Sequence, residues 1–231
     1  MRIVVLGAPG AGKGTHCKRI ADRYHVVHLS SGDILRRERA EGTDLGKKAQ
    51  SYMDAGTLVP DDLIVQMMSN AIQKAGSAGY VLDGFPRTVN QAKALDESLA
   101  GAKGGIDIVV NLQVDDSVVL DRITGRRSCP KCGAVYHVRN MPPKKDDVCD
   151  LDGTRLVQRP DDTEAVVKNR LATYYQQTEP VVEYYKSKGT VHDIDANKDA
   201  DTVAAVIFRK LDSLAGKAGQ RPRQQARPKK V

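Results

Sequence analysis

The sequence predicts an α/β protein built on a five-stranded parallel sheet flanked by helices, with two excursions from that core. Short runs of Val, Ile and Leu alternate with segments of helical period along most of the 231 residues. These runs are nearly continuous, the pattern of strands buried on both faces. The stretches between them can each hold a helix, which implies right-handed crossovers and a parallel sheet.

The first run, IVVLG at 3–7, follows a single Arg and stops at Gly7 and Pro9. It reads as a buried strand and not as the core of an export signal. A helix is predicted over about 13–24, where Cys17, Ile20, Ala21 and Tyr24 share one face. VVHL at 26–29, YVLDG at 80–84, IDIVVNLQV at 106–114 and TVHDI at 190–194 supply the other strands. Helical patterns lie near 61–74, 88–100, 115–125, 163–187 and 200–214. Two segments break the rhythm. Residues 30–59 are helical in pattern but hold no strand, and residues 126–163 lose the helical period and carry Pro130, Pro142, Pro143 and Pro160. The expected division is a core of 1–29, 60–125 and 164–214, excursions at 30–59 and 126–163, and a disordered basic tail at 215–231.

With 40% hydrophobic residues, no Trp and two Phe, the core must rest on aliphatic side chains. No apolar run approaches the roughly 18–20 residues that span a bilayer, so no membrane partner is expected and the cytoplasm is the expected location. The net charge of +7 belongs mostly to the tail: without Lys217, Arg221, Arg223, Arg227, Lys229 and Lys230 it falls to +1. That tail lacks the apolar area to fold alone and is expected to touch polyanions only weakly.

GAPGAGKGT at 7–15 has the spacing of a P-loop, Gly7-x4-Gly12-Lys13, between an apolar strand and a helix. Glycines let successive N–H groups face phosphate oxygens, the helix N-terminus adds its positive end, and Lys13 supplies a mobile charge. Gly10, Ala11, Gly12, Lys13, Gly14 and Thr15 are therefore candidate ATP-phosphate contacts. Gly14 follows Lys13 where the general motif has a hydroxyl, which arrives one position later at Thr15. Asp83 ends an apolar strand, where a carboxylate can hold Mg2+ through water, with Asp33 as a possible helper. Cys129-x2-Cys132-x16-Cys149 has zinc-ribbon spacing; Asp152, Asp150 and His137 are candidates for a fourth ligand.

The GKGT variant, LSSGDILR at 29–36, LVPD at 58–61, VLDGFPRT at 81–88, GRR at 125–127 and RPDD at 159–162 resemble the motifs of adenylate kinases. The resemblance runs over about 1–214. It implies a P-loop NTPase-like core, an AMP-binding insertion at 30–59 and a zinc-ribbon-like lid at 126–163. It implies reversible in-line transfer of the γ-phosphoryl group of Mg-ATP to AMP, giving two ADP, by a monomer that needs no protein partner. Arg36 and Arg87 would hold the AMP phosphate, Arg122 and Arg126 the ATP phosphates, and Arg159 and Arg170 the transferring group. Lys13, these arginines other than Arg36, and Asp83 form the expected catalytic set. Ser31, Thr57, Leu58, Val59, Gly84, Phe85, Pro86 (after a cis bond) and Gln91 would complete the AMP site, with Gln91 reading the base. Val135, Tyr136 and Lys198 would surround the ATP adenine. Asp152 would be the fourth ligand of a structural Zn2+. Competing readings are another nucleoside monophosphate kinase, or a zinc-ribbon nucleic-acid-binding protein anchored by the tail.

Overall fold

The computed structural model describes residues 1–100 and 105–219. Five parallel strands form the central sheet: β1 (Arg2–Gly7), β2 (Val27–Ser30), β3 (Tyr80–Asp83), β4 (Ile108–Gln113) and, after the short strands described below, β7 (Val191–Asp195). Their order is β2-β3-β1-β4-β7. The strand β1 is buried on both faces, and its side chains divide between two cores. Val4 and Leu6 join one, Ile3 and Val5 the other.

On one side, Ile3, Val5, Ile108 and Val110 pack with Cys17 and Ile20 of α1 (Lys13–Tyr24) and with Val203, Ile207 and Leu211 of α9 (Ala200–Gly219). On the other, Val4, Leu82 and Val109 meet Ile64 and Met68 of α4 (Asp61–Ala75) and Leu95 of α5 (Val89–Ala100). Val181 and Tyr185 of α8 (Glu179–Lys186) complete that core. Burying a Val, Leu or Ile side chain removes apolar area worth about 1.5–3 kcal/mol, so these two layers supply most of the drive to fold.

Residues between β2 and α4 form α2 (Ser31–Ala40) and α3 (Asp44–Ala55). Each helix starts on a hydroxyl cap: Asp33 N–H donates to Ser30 Oγ at 3.2 Å, and Gly46 N–H to Thr43 Oγ1 at 3.1 Å. After α6 (Asp116–Thr124) the chain leaves the sheet as β5 (Arg126–Ser128), pairs antiparallel with β6 (Val135–His137), and returns through α7 (Glu164–Thr173). Isolated bridges, Ser128 with Val157 and Val148 with Arg155, extend this small β unit.

Two expectations are corrected. The helix expected over 163–187 is interrupted by a π turn at Tyr174–Thr178, where Glu179 N–H reaches back to Tyr174 O. Pro180 has no N–H to continue the α pattern, and the wider turn accommodates that loss. The last helix continues to Gly219, past the expected end at 214, so the predicted tail loses its first residues; 220–231 lie outside the described residues. Phe85–Pro86 is cis, as the family resemblance implied.

The pairing of α2 with α3 depends on Gly46. A methyl group there would lie 2.3 Å from the carbonyl oxygen of Glu38. Gly46→Ala is therefore expected to cost about 1–3 kcal/mol. Melting curves should show a drop of several degrees. An unchanged Tm would mean that these helices separate freely.

Candidate active site

The parallel sheet aligns several functional segments at one edge. Ser30 pairs in register with Asp83, and Asp83 with Val5, so the loop after β1, the start of α2 and the residues after β3 open into one crevice. Gly7, Gly10 and Gly12 adopt φ of 138°, 77° and 89°. They turn the chain into α1, whose N-terminus has no side-chain cap and is left to an anion. The Nζ of Lys13 lies against this loop, donating to Gly7 O and Ala8 O at 2.7 Å each.

The segment after β3 is built around Gly84. Its φ of 70° and missing side chain let Arg87 fold back, with Nε donating to Gly84 O at 2.8 Å. A Cβ there would lie 2.8 Å from Arg87 Nη2. Ser31 Oγ donates to the same carbonyl at 2.7 Å. Gln91, 1% exposed, is held on both sides: its Oε1 accepts Arg87 N–H and its Nε2 donates to Asp61 Oδ1, each at 2.7 Å. Its amide thus supports Arg87, and the base-reading role expected from the resemblance would require those bonds to exchange.

The arginines converge from three elements. Arg126 Nε donates to Asp162 Oδ2 at 2.9 Å, and Asp162 is fully buried. Arg170 on α7 pairs with Asp161 at 2.9 Å, and Arg159 Nε donates to Ser128 Oγ at 2.9 Å. Arg36 pairs with Asp33 at 2.5 Å. Burial would raise the Asp33 carboxyl, but Arg36 overrides it and holds the carboxyl below its usual range. Asp33 therefore answers a cation of this cluster in the described structure.

Positive charge is in excess here. Burial pushes Arg87 down to about 10, and Arg170 adds to the effect while Asp83 opposes it. Burial also lowers Arg159 to about 10, with Arg126 and Arg36 as like-charged neighbours. Lys13 falls from its usual 10.5 to about 7, mainly by burial; Asp83 resists, and Arg87 and Arg170 push the same way. Groups in this state favour a bound polyanion.

A cavity beside this cluster is lined by Ser31, Arg36, Thr57, Leu58, Val59, Gly84, Arg87, Gln91, Asp161 and Arg170. Most of the expected AMP residues thus meet. Phe85, 2% exposed, packs into the core, and Pro86 and Arg159 do not line the cavity. A larger groove of about 390 Å3 lies between α2, α3 and α4 and contains none of the expected residues. Around the expected adenine site, Arg122 donates to the carbonyls of Ala196, Asn197 and Lys198. The phosphate contact expected of it would require these bonds to exchange. Tyr136 is 8% exposed and packs with Cys129, Cys149 and Leu156, so its ring belongs to the interior of the β unit; Val135 is half-buried beside it.

The ligand atoms of Cys129, Cys132, Cys149 and Asp152 all lie within 4.8 Å of one another. Cys132 N–H points at Cys129 Sγ (3.4 Å), and Gly133 and Gly153 take φ of 70° and 72°. The alternatives are committed elsewhere. His137 Nδ1 accepts the N–H groups of Arg139 and Asn140 at 3.1 and 3.0 Å while Nε2 faces Asp121 O. Asp150 Oδ1 accepts Lys144 N–H at 2.9 Å.

Sequence reasoning missed Asp161 and Asp162 as partners of the arginines, although RPDD contained them. It also missed Asp61, which anchors Gln91, and His16, a buried histidine in the first turns of α1 whose Nδ1 has no partner. No periodicity or spacing distinguishes those two.

Residues 5–190 match the protein family described as adenylate kinase. Proteins named adenylate kinase are similar along nearly the whole chain. The one from Lachnospira eligens is 46% identical over 212 residues, covering 91% of this chain and 100% of its own length. The one from Archaeoglobus fulgidus is 48% identical over 215 residues, covering 93% and 99%. The one from Caldicellulosiruptor saccharolyticus is 47% identical over 209 residues, covering 90% and 97%.

The depressed Lys13 has a pH consequence. Its folded value of about 7 lies below its usual 10.5, so burying the ammonium form opposes folding fully below pH 7. That penalty is relieved as pH rises from 7 to 10.5. A polyphosphate favours the ammonium form, so its binding near pH 8 should take up protons and weaken as pH rises. Calorimetry of tripolyphosphate binding in buffers of different ionisation enthalpy measures this. Uptake should vanish in Lys13→Met; equal uptake in both proteins would remove Lys13 as its source.

Proposed function

The chain belongs to the adenylate kinase family, and from that membership we propose how its own residues carry the family reaction. The reaction transfers a phosphoryl group from ATP to AMP and yields two ADP. One observation carries the residue assignment: Arg36, Arg87 and Arg170 line one cavity, and burial pushes Arg87 to about 10 and Lys13 to about 7, a state that a polyanion relieves.

ATP phosphates lie on the loop 7–15, with backbone N–H groups and Lys13 as donors. The AMP phosphate meets Arg87 and Arg36, and its nucleoside fills the cavity along Thr57, Leu58 and Val59. The acceptor phosphate is already ionised and needs no strong base. The reaction instead requires alignment, exclusion of water and compensation of charge spreading over the transferred group. Arg126, Arg159 and Arg170 provide that compensation when 126–163 closes on the core, and 30–59 closes over AMP. Substrate phosphates then replace Asp33, Asp161 and Asp162 as counterions. Asp83 stands between Lys13 and His28 at the crevice edge, and its oxygens suit a hydrated Mg2+. When bound, that ion shares the charge of the ATP phosphates and helps to orient them. Arg122, committed to the carbonyls of residues 196–198, steadies the adenine end of the ATP site near Lys198.

The cysteine knot fits a structural Zn2+. Cys129, Cys132, Cys149 and Asp152 would supply four protein ligands, and the ion would crosslink a segment that has only a small apolar cluster of its own. The reading includes a monomer working in the cytoplasm, a compartment that suits four free cysteines. Among the described residues, no helix is long and apolar enough to cross a membrane.

A coupled assay of 2 ADP ⇌ ATP + AMP, with a nucleotide panel and Mg2+ omission, tests the reading. Arg87→Ala should reduce turnover roughly 10²–10³-fold while leaving the fold intact. Near-normal turnover in the folded variant would overturn the assignment. Dialysed protein should carry about one Zn2+ per chain by elemental analysis. Chelation should lower Tm more than turnover at moderate temperature. Asp152→Ala should weaken metal retention and His137→Ala should not; the reverse would move the fourth ligand to His137.

A further inference from the structure

A second group of metal-ligating atoms lies outside the lid. Cys17 on α1, His28 on β2 and Asp83 at the end of β3 present Sγ, an imidazole nitrogen and a carboxylate oxygen within 4.8 Å of one another. His28 Nε2 and Asp83 Oδ2 are 3.3 Å apart. In a tetrahedral zinc site, ligand atoms about 2.0–2.3 Å from the ion stand roughly 3.2–3.8 Å from one another. His28 and Asp83 already meet that spacing, and Cys17 needs only a small side-chain adjustment.

The surrounding fold holds the group together. Gly14 stands one helical turn before Cys17, and a Cβ there would lie 3.2 Å from Asp83 Oδ2, so the glycine lets the carboxylate approach this face of α1. Lys13 Nζ is held by Gly7 O and Ala8 O at 2.7 Å each, although its charge still acts on Asp83 and Cys17. The side chains of His28 and Asp83 are 16% and 13% exposed, which gives an ion a route in from the nucleotide crevice. Cys17 is fully buried behind them.

We propose that Cys17, His28 and Asp83 form a second site for a thiophilic divalent cation of the zinc class, and that filling it stops phosphoryl transfer. The ligand types decide the class. Mg2+ takes oxygen ligands in octahedral geometry, whereas a thiolate with an imidazole selects zinc, cadmium and similar ions. Three protein ligands leave a fourth position for water, the pattern of an accessible site and not of a closed structural one. On coordination the Cys17 S–H bond gives way to a sulfur–metal bond and the proton leaves to solvent. The inhibition rests on the reading of Asp83 as the magnesium-side carboxylate: an oxygen that ligates zinc there is withdrawn from Mg-ATP. The enzyme would then carry two sites of opposite effect, a lid knot that needs the metal and a crevice site that is blocked by it.

The test titrates the dialysed, nucleotide-free chain with Cd2+ alone, following thiolate-to-cadmium absorption and the sum of zinc and cadmium per chain, in which equivalents are counted. Wild type should bind two equivalents in total, the second removable by mild dialysis. Cys17→Ala and His28→Gln should each bind one, with Mg2+-supported turnover retained. Inhibition of turnover by Zn2+ at fixed Mg2+ should need at least about 10-fold more zinc in either variant. A single equivalent in wild type, or two in both variants, would overturn the site. If the second equivalent is lost in the variants but zinc inhibits all three proteins alike, the site stands and the blockade through Asp83 is wrong. The dependence of turnover on magnesium and on Arg87 is read separately, so failure of the proposed function leaves a different signature.

Discussion

The crevice concentrates positive charge that the protein only partly neutralises. Lys13, Arg87, Arg159 and Arg170 are all shifted toward their uncharged forms, chiefly because burial removes water, and each has a like-charged neighbour. Much of the surrounding structure is arranged to tolerate this. Asp33, Asp161 and Asp162 sit against the arginines, and burial of Asp162 would be costly without Arg126 and Arg170 beside it. The carbonyls of Gly7, Ala8 and Gly84 hold the cations that the acids do not reach. Polyphosphate would offer these groups better partners, and the proposed reading takes that difference as the source of binding and rate acceleration.

The same requirement explains why the fold has two excursions. A rigid sheet edge can present the phosphate loop and Arg87, but it cannot surround two nucleotides and still release them. Arg36 comes from α2, and Arg126 and Arg159 from the ends of the β unit, so on the proposed reading charge compensation is complete only when these parts gather. Contacts at their bases are local. Asn169 Nδ2 donates to Ala55 O at 2.5 Å and Thr173 Oγ1 to Gly56 O at 3.4 Å, tying the end of α3 to α7. Lys18 Nζ reaches Gly133 O at 3.2 Å, a polar link from α1 to the cysteine cluster. The excursion at 30–59 also shares apolar packing with the core, since Leu35, Ala49 and Val59 are buried in the cluster that holds Val4 and Leu82.

Much of this was legible in the sequence, for identifiable reasons. The strands β1, β3 and β4 are buried on both faces and produce apolar runs bounded by turn residues, while the edge strands β2 and β7 carry only short apolar stretches; all five were placed. The second slipped by one residue because Val26 is buried before the strand begins while Val27, on the edge strand, is 37% exposed. The short strands β5 and β6 were not legible, since three residues carry no period and their pairing depends on the knot that encloses them. The π turn escaped because its apolar spacing resembles that of an α-helix. Among site residues, glycine-lysine and DGFPR spacing found the charges, but spacing cannot show what a side chain is bonded to. The amide of Gln91, the guanidinium of Arg122 and the ring of Tyr136 are therefore engaged by Asp61, the carbonyls of 196–198 and the interior of the β unit, which no spacing could show.

Calorimetric titration with two adenosines joined by a five-phosphate chain tests most directly whether these cations form one shared polyanion site. One equivalent should bind per chain, with an affinity far above that of ATP or AMP alone and falling with added salt. Two equivalents per chain, or an affinity no greater than that of ATP, would mean that the cationic residues serve separate sites and would contradict the assembly of one crevice around the transferred group.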